Sequence, residues 1–476
     1  MESTNHIELF RRKMKNAGIN PLVIRVFEKY YRQLLSGKNE FIRESEILPL
    51  KENRLKRLED LSAYTDYGND VLAQTAVFKL NGGLGTSMGL DGPKCLIPVD
   101  KKLTFLDIAI RQIKLINKKY HQHIPLYLMN SFNTENETKK YLKKHYPEFL
   151  PFTFMQHKYP KILRDKDKKP EDFNKPARYN KNRKLEWNPP GHGDIYLALI
   201  TSDIMNTLLK RNIKYLFISN IDNLGATLDP RLLGYFAQND FPFMMEIIKR
   251  TEMDKKGGHL ACRKNGQILL RERAQVHKDD IPAFENITLH RYFNSNTIWV
   301  NLVHLNQLLR KNKNIINLPL IANEKTLDPN DETTPKVVQL ETAMGALIEH
   351  FKNSEAVIIP KERFIPVKNT NDLLALWSDC YILDRKTFCI FPNPERKLPP
   401  ITINLDPRFY KTYRQLKKNF YPQPPSLIEC SSLRVEGNVQ FGKRVVIKGN
   451  VCITNEIPAR IPDKKIITHS LTVHKN

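Results

Sequence analysis

A glycine-rich segment between residues 82 and 94 has the composition expected of a phosphate-binding loop. Five of the nineteen glycines lie within positions 82–92, shortly after the apolar run Ala76-Val77-Phe78, and Pro93-Lys94 closes the segment. Glycines after a strand allow backbone N–H groups to approach phosphate oxygens closely, at the edge where open α/β sheets bind ligands. The lysine adds a cation that can reach the same phosphates. The spacing fits neither the Walker loop nor the G-x-G-x-x-G loop.

The order of residues in this loop is specific enough to suggest a family. The run Gly82-Gly83-Leu84-Gly85-Thr86-Ser87-Met88, followed by Gly92-Pro93-Lys94, resembles the signature loop of UDP-glucose pyrophosphorylases. Further segments resemble the same family in the same order, so the resemblance extends from about residue 60 to about residue 455. These segments are residues 154–162, 189–194, 219–226, 256–258, 293–296, 340–343, 366–374 and the C-terminal part from residue 425.

The resemblance implies a nucleotidyltransferase that makes UDP-glucose and pyrophosphate from UTP and glucose 1-phosphate. It assigns Lys94 to the UTP phosphates, Asp222 to a Mg²⁺ ion at the α-phosphate, and Lys368 to charge balance between the substrates. The residues implied for the uracil are Leu80, Asn81, Gly82, Gly83, Gln156 and Gly191. The residues implied for the sugar phosphate or the hexose are His192, Asn220, Asn294, Glu341 and Lys368.

The implied reaction needs no general base. The attacking group is the phosphate of the sugar 1-phosphate, which is largely dianionic at neutral pH because its second pKa is about 6. It attacks the α-phosphate in line, and no covalent intermediate is expected. Mg²⁺ keeps several waters and often uses one or two protein carboxylates, so a single aspartate suffices. Lys361 and Arg363, which precede Lys368 in the sequence, are expected to be exposed and dispensable.

Each of these residues also has an ordinary structural interpretation. Asp222 could be a strand-end aspartate, His192 a turn residue, and Lys368 one of 76 basic residues. Two rival functions therefore stay open. One is a broader UDP-sugar pyrophosphorylase that also accepts galactose 1-phosphate or an N-acetylhexosamine 1-phosphate, and the other is a catalytically inactive relative that binds polyanions. His259 lies near the implied sugar pocket where the family usually has a smaller threonine, which leaves the hexose preference open.

Short apolar runs alternate with amphipathic stretches from residue 75 onward. This alternation predicts an α/β fold with a doubly wound, mostly parallel, Rossmann-like sheet. Residues 138–145 have the character of a helix, and the predicted strands are residues 76–78, 124–129, 215–218 and 243–247.

Two other segments differ from this pattern. Residues 1–60 have helical spacing, for instance at Leu22, Val23 and Val26, and are predicted as an N-terminal helical segment before a catalytic domain over residues 61–390. Residues 161–186 hold ten basic and five acidic side chains with two prolines. They are predicted as an exposed loop.

Apolar residues recur every six positions near the C-terminus. Such hexads are typical of a parallel β-helix, and the resemblance implies a short left-handed one within residues 391–476, after a linker. A pair of plain hairpins is the alternative. The two hexad series are Val435, Phe441, Ile447 and Ile453, and Val439, Val445 and Val451.

The formal net charge of +25 is the unusual bulk property of the chain. Such an excess attracts polyanions, but the lysines are spread evenly, which favours solvated surface lysines. The N-terminus lacks a signal-peptide core, no apolar run approaches the roughly 20 residues that span a bilayer, and the scattered cysteines indicate reduced thiols. We expect a cytoplasmic enzyme of small-molecule substrates, with no nucleic-acid or membrane partner. It should be a monomer or dimer, because the chain after Asn455 is short and carries Lys464 and Lys465.

Overall fold

Helices and strands alternate along most of the chain. The computed structural model describes residues 2–37, 41–85, 88–90, 92–100, 102–164, 175–329, 331–420 and 423–472. None of the helices in these ranges combines the length and the apolar character that a membrane crossing requires. The α-helices of the described residues are α1 (Glu2–Asn16), α2 (Pro21–Leu35), α3 (Thr65–Asp70), α4 (Phe105–Tyr120), α5 (Glu135–His145), α6 (Ile195–Thr201), α7 (Ile204–Lys210), α8 (Pro230–Gln238), α9 (Ile281–Glu285), α10 (Leu302–Lys311), α11 (Thr370–Trp377), α12 (Pro407–Tyr410) and α13 (Tyr413–Phe420).

The strands are short except in the central sheet. They are β1 (Ile47–Pro49), β2 (Lys56–Arg57), β3 (Thr75–Asn81), β4 (Leu126–Asn130), β5 (Thr153–Met155), β6 (Tyr159–Pro160), β7 (Ile162–Leu163), β8 (Lys175–Pro176), β9 (Trp187–Asn188), β10 (Tyr215–Asn220), β11 (Phe243–Lys249), β12 (His259–Arg263), β13 (Ile268–Arg271), β14 (Tyr292–Asn301), β15 (Ile321–Asp328), β16 (Asp331–Glu341), β17 (Glu355–Ile358), β18 (Tyr381–Leu383), β19 (Ile390–Pro392), β20 (Thr402–Leu405), β21 (Cys430–Glu436), β22 (Val439–Phe441), β23 (Val446–Ile447), β24 (Gly449–Thr454), β25 (Ala459–Ile461), β26 (Ile466–Ile467) and β27 (Leu471–Thr472).

The chain divides into two units, each built from segments that are separate in the sequence. The predicted domain boundaries at residues 60 and 390 divide the chain into consecutive segments, and these domains stay a prediction. Unit 1 contains Met1–Gly82, His123–Ser219 and Leu228–Ile359, and unit 2 contains Gly83–Gln122, Asn220–Thr227 and Pro360–Asn476.

A large sheet forms the centre of unit 1. Its main path follows the order β2-β17-β11-β14-β10-β3-β4-β5, and β12 joins it beside β14 together with β1 and β13. The pairs β2–β17, β17–β11, β3–β4 and β4–β5 are parallel, whereas β14 runs antiparallel to β10 and β11. The predicted mixed α/β fold with a mostly parallel central sheet is confirmed.

The apolar runs that predicted strands form the core of this sheet. Phe78 in β3, Leu216 in β10 and Met245 in β11 are all buried in one cluster. The ten-residue strand β14 was not among the predicted strands, because the polar run 294–296 interrupts its apolar character.

The N-terminal residues are helical only in part. α1 and α2 pack through aromatic side chains, with ring centroids 5.2 Å apart for Phe10 and Phe27 and 4.7 Å apart for Phe10 and Tyr31. After α2 the chain contributes strands rather than further α-helix, since β1 pairs with β12 and β2 pairs with β17.

The described parts of the lysine-rich segment 161–186 contain two short strands, β7 and β8, and end in a short 3-10 helix at Arg183–Glu186. β7 and β8 pair antiparallel, and β7 also pairs with β16. Lys161 is only 3% exposed and its Nζ donates to the carbonyl of Leu327 at 3.0 Å. Burial lowers the pKa of this lysine to about 8. Because its side chain is buried and hydrogen-bonded, Lys161 has a structural role, although it lies in the stretch that resembles a uracil-contacting segment. Residues 165–174 of the predicted loop lie outside the described residues.

The C-terminal strands of unit 2 pair in parallel. β20, β21, β24 and β27 form one sheet, and the pairs β22–β25 and β23–β26 form two others. Side chains at all seven predicted hexad positions are buried, Phe441 being the most exposed at 7%. The hairpin alternative is wrong, because the strands of a hairpin run antiparallel.

Candidate active site

The glycine-rich loop folds back on itself within unit 2. The backbone N–H of Lys94 points to the carbonyl of Gly83 at 3.4 Å, and Leu84 forms an antiparallel bridge with Pro93. The lysine therefore lies opposite the first residues of the loop. Three residues of the predicted motif lie outside the described residues, namely Thr86, Ser87 and Asp91.

Lys94 and Asp222 form an ion pair. The Nζ of the lysine contacts Oδ2 of the aspartate, and the two side chains are 13% and 18% exposed. The groups that the resemblance implied for the phosphates and for the metal are thus in direct contact, and both retain access to solvent.

A turn after β10 positions this aspartate. The Nδ2 of Asn223 donates to the carbonyl of Arg363 at 3.2 Å, and its Oδ1 accepts the N–H of Ile365 at 2.9 Å. A Cβ at Gly225 would lie 2.3 Å from the carbonyl oxygen of Glu362, so only glycine fits there. The hydrogen bonds of Asn223 and the close packing at Gly225 hold the turn against the segment that leads to Lys368.

Arg363 is not the exposed residue that the sequence suggested. It is only 7% exposed, and its guanidinium donates to the carbonyl of Thr227 at 2.8 Å. The expectation that Arg363 is exposed was wrong, because the same segment that packs on the turn carries this side chain inward. Lys361 is exposed, as expected.

Lys368 begins the turn that caps α11. Its backbone N–H donates to Oδ2 of Asp372 at 2.7 Å, and its exposed side chain places Nζ 5.9 Å from the centre of the Phe364 ring. Burial raises the pKa of Asp372, and the N–H and charge of Lys368 and the charge of Lys94 oppose that rise. Asp372 is therefore a carboxylate that both lysines influence. Asp372 was not among the predicted site residues, although its place three residues after the helix-capping Asn369 was a usable signal.

The uracil-binding candidates of unit 1 lie where β3 and β4 end. Asn81 is opposite Asn130 in the parallel register, and its Nδ2 donates to Oδ1 of that residue at 2.7 Å. The N–H of Gln156 donates to the carbonyl of Asn130 at 2.8 Å, and Ser131 Oγ donates to the carbonyl of Gly82 at 2.8 Å. One network thus holds three of the candidates.

Gly82 lies unusually close to the side chain of Gln156. A Cβ at Gly82 would be 2.0 Å from Gln156 Nε2, and the glutamine is only 7% exposed. The side chain of Leu80 is part of the apolar core, so that residue could contact a ligand only through its backbone. A glycine is required at position 82 if the glutamine is to keep its position.

The loop that carries Gly191 and His192 is bound to the chain after β16. The N–H of Gly193 donates to the carbonyl of Thr342 at 2.9 Å, and the N–H of Thr342 donates to that of Pro190 at 2.8 Å. Gly191 has a φ of 78°, and a Cβ there would lie 2.5 Å from the Thr342 oxygen. Both its conformation and its surroundings therefore require glycine.

His192 has a defined tautomer in this loop. The backbone N–H of Met344 donates to its Nδ1 at 2.9 Å, so this nitrogen carries no proton. Burial of the imidazole lowers the pKa of His192 to about 4, although part of the residue remains accessible. The neutral ring must then carry its proton on Nε2, which makes it a hydrogen-bond donor.

The two remaining sugar-site candidates of unit 1 are largely buried. Burial raises the pKa of Glu341, and a hydrogen bond from the Asn323 side chain opposes that rise. Asn294 is 6% exposed, and its Nδ2 donates to Oδ1 of Asn296 at 3.0 Å. A Cβ at Gly345 would lie 2.9 Å from that same Nδ2, so Asn294 packs against the chain that follows Met344.

A histidine–aspartate pair that was not predicted from the sequence joins the segment of Gln156 to the loop of His192. The N–H of His157 donates to Oδ2 of Asp194 at 2.7 Å, and its Nδ1 lies 2.9 Å from Oδ1. The aspartate side chain is 1% exposed. The pair connects the residue after Gln156 to the loop of His192. The glycine-aspartate sequence at 193–194 was the signal for it.

His259 does not present its side chain to a ligand site. It is fully buried, its ring centroid lies 3.8 Å from that of His290, and Phe284 packs on it at 5.0 Å. The concern that this histidine alters the sugar pocket is therefore not supported by its surroundings, because the imidazole belongs to a buried aromatic cluster.

The predicted site residues fall into two groups. In the first group close packing joins Gly82 to Gln156 and Gly191 to Glu341. The second group contains the two lysines and Asp222. Those in unit 1 are Leu80, Asn81, Gly82, Gln156, Gly191, His192, Asn294 and Glu341, and those in unit 2 are Gly83, Lys94, Asn220, Asp222 and Lys368.

Comparisons with known proteins identify the family of the chain. The sequence model of the family described as UTP–glucose-1-phosphate uridylyltransferase matches residues 24–448. The chain is 36% identical to UTP–glucose-1-phosphate uridylyltransferase 2 of Dictyostelium discoideum over 453 residues, covering 94% of this chain and 86% of that protein. It is 38% identical to the Hordeum vulgare protein of the same name over 413 residues, covering 86% and 83%.

Solved structures give the same result. A variant of UDP-glucose pyrophosphorylase from Leishmania major in complex with UDP-glucose has a TM-score of 0.88 at 38% identity, covering 98% of this chain and 99% of that chain. A Trypanosoma brucei protein described as UDP-glucose phosphorylase also has a TM-score of 0.88 at 38% identity, covering 99% and 100%. Fold and sequence together define a nucleotidyltransferase. The chain belongs to the UTP–glucose-1-phosphate uridylyltransferase family.

We predict that His192 stays neutral, with its proton on Nε2, throughout the range from pH 5.5 to 9. The lowered pKa of about 4 means that the neutral ring predominates at every pH well above that value. Nitrogen NMR of protein labelled at histidine would measure this, with His192→Asn identifying the signal. A His192 signal that titrates near the ordinary value of 6.5, or a proton on Nδ1, would contradict the assignment.

Proposed function

We propose that this protein makes UDP-glucose and pyrophosphate from UTP and glucose 1-phosphate by in-line attack at the α-phosphate. Membership of the uridylyltransferase family supports the reaction. In this chain, the observation that best supports the proposal is the ion pair of Lys94 and Asp222 beside a glycine loop that follows a strand. A catalytically inactive relative would not need this ion pair beside the loop.

The charged residues of unit 2 would act on the phosphates. Lys94 is 13% exposed and held opposite Gly83, where its ammonium can contact the UTP phosphates. Lys368 would balance the negative charge of the two substrates, which repel each other until cations offset them. The attacking phosphate is already a dianion at neutral pH, since its second pKa is about 6. The chain therefore has to supply orientation and charge rather than a base.

The residues of unit 1 would bind the uridine and the hexose phosphate. The backbone at residues 80–82 and the side chain of Gln156 would read the uracil edge. Nε2 of His192 would donate a hydrogen bond to the sugar phosphate or a hexose hydroxyl, because its Nδ1 is already occupied by Met344. Asn294 and Glu341 would contact the hexose.

Asp222 fits a Mg²⁺ ion that keeps most of its water. Its carboxylate is a hard oxygen ligand with 18% exposure. Over the described part of the chain, no three His, Cys, Asp or Glu side chains cluster in a way that could hold a metal. This supports an ion held mainly by phosphate oxygens and water, rather than by a protein cage. When bound, Mg²⁺ would neutralise charge that develops on the phosphates.

Several further properties belong to this proposal. The parallel pairing of β20–β27 and the buried hexad positions support a short left-handed β-helix at the C-terminus. All six cysteines are described and none forms a disulfide, which supports a cytoplasmic location. We also propose a monomer or dimer that acts without nucleic acid. A broader sugar preference is the alternative to strict use of glucose.

The direct test is pyrophosphate release from UTP and glucose 1-phosphate with Mg²⁺. We expect turnover with UTP and a strong preference over ATP and GTP, because a mismatched base would leave buried polar groups unpaired. Galactose 1-phosphate and N-acetylglucosamine 1-phosphate, measured in parallel, decide between the narrow and the broad enzyme. Equal rates with ATP would overturn the uridine assignment, and absence of any turnover would favour the inactive relative.

We predict that Asp222→Asn and Lys368→Ala abolish most turnover without unfolding the protein. Asparagine keeps the size of the aspartate but removes the charge that balances Lys94 and that a hard cation needs. Loss of one preorganised charge costs on the order of 10²–10³ in rate. Initial rates at saturating substrates, with thermal melts of each variant, would measure this. Lys361→Ala is the matched control, since that lysine is exposed and should keep nearly full activity.

A variant at Asp222 or Lys368 that kept more than about a tenth of the rate would show that the residue has no such electrostatic role.

We predict that Gly82→Ala and Gln156→Ala both weaken uridine binding, because each removes the contact of the Gln156 amide with the base. The new Cβ at position 82 would displace the Gln156 amide. Each variant should lower the preference for UTP over other triphosphates by about five- to a hundredfold, as expected for a buried group left unpaired. The double variant should be no worse than the poorer single one, because both changes remove the same contact. Additive losses in kcat/KM for UTP would show that Gly82 has a separate role.

A further inference from the structure

A basic cleft in unit 1 lies apart from the residues assigned above. It is formed by α1 and residues 175–186 and has a volume of about 690 Å³, within the usual range of about 300–1,000 Å³ for small-molecule sites. Among the described residues, five cationic side chains and one carboxylate line it: Arg12, Lys13, Lys175, Arg178, Arg183 and Glu186. We call it the α1 cleft.

The single carboxylate of the α1 cleft is already neutralised. Glu186 forms an ion pair with Lys13 and accepts the N–H of Tyr179 at 2.9 Å. The Lys13 ammonium also donates to the carbonyl of Ala177 at 2.5 Å. This pair joins α1 to the opposite wall of the cleft and leaves no negative charge to balance the other cations.

The remaining cations of the α1 cleft form no ion pair with a described carboxylate. Over the described part of the chain, no carboxylate lies within ion-pair distance of Arg12, Lys175, Arg178 or Arg183. The charges of Arg178 and Arg183 act on Lys13, whose pKa is lowered mainly by burial and further by these two guanidinium groups. Four like charges thus face one concavity, and the described residues that line it offer them no carboxylate except Glu186, which Lys13 already pairs and on which Arg183 also acts.

We propose that the α1 cleft binds a compact anion that carries two or more phosphoryl groups. Guanidinium groups match phosphate oxygens in a bidentate geometry, and several neighbouring cations favour a multivalent anion over a single phosphate. A single-stranded nucleic acid would instead need aromatic stacking surfaces. Among the described residues, the side chains that line the cleft include no aromatic ring. Nearby Trp187 is covered by Lys13 and Lys158, whose Nζ atoms lie 5.4 and 4.7 Å from its ring centroids.

Calorimetric titration of the full chain with inorganic tripolyphosphate tests this site. Excess UDP-glucose is present so that the phosphate-binding groups of the proposed active site are occupied. The double variant Arg178→Ser with Arg183→Ser removes two cleft cations. The matched control, Arg434→Ser with Arg460→Ser, removes the same charge from exposed positions in unit 2.

We expect one equivalent of tripolyphosphate to bind the wild type, with an affinity that falls as salt is added. The cleft variant should bind at least about tenfold more weakly, given the strength of charged hydrogen bonds, while the control stays within about twofold. Absence of saturable binding, or equal binding by all three proteins, would overturn the proposal. So would a single-stranded oligonucleotide that binds more tightly and competes tripolyphosphate off, because it would assign the cleft to nucleic acid. The comparison of the two variants does not depend on turnover, so a failed enzyme assay leaves it interpretable.

Discussion

The parallel register of β3, β4 and β5 determines where the nucleotide-binding candidates of unit 1 lie. Asn81 is opposite Asn130, and Asn130 is opposite Met155, so the three strands end at one level. Gln156 is the next residue after β5, and its backbone continues the hydrogen bonding to Asn130. A shift of one residue in any of these pairings would turn every side chain of the shifted strand to the other face of the sheet. The site therefore depends on hydrogen bonds between main chains before any side chain contributes.

In unit 2 the charged residues are positioned by side-chain hydrogen bonds rather than by strand register. Here a single amide side chain, that of Asn223, bonds to two backbone groups of the segment that leads to Lys368. Its buried bonds fix the turn that carries Asp222, and the ion pair with Lys94 then ties the glycine loop to that turn. Buried polar groups that are fully satisfied make such an arrangement rigid. Charged groups held in fixed positions can stabilise phosphate charge without reorganising during the reaction.

Much of this could be predicted from the sequence, because the loop at residues 82–94 and the strands around it are local patterns. Contacts between distant segments could not. Nothing in the sequence shows that Arg363 turns inward to Thr227, or that His259 stacks on His290, since both depend on which segments pack together. β14 was missed because burial in a sheet overrode the polar run that begins at Asn294. The C-terminal hexads were informative because stacked parallel strands repeat the same local environment.

The close approach of Gly82 to Gln156 has a consequence for how this enzyme family can change over time. The two positions lie far apart in the sequence but share one small volume, so a side chain at position 82 can be accommodated only if position 156 carries a smaller residue. A lineage that gained a side chain at position 82 would first have to shorten the residue at position 156, and would then lose the group proposed to recognise the base. We therefore expect a side chain at position 82 only in relatives that have a smaller residue at position 156, and we expect those relatives to have a different nucleotide preference.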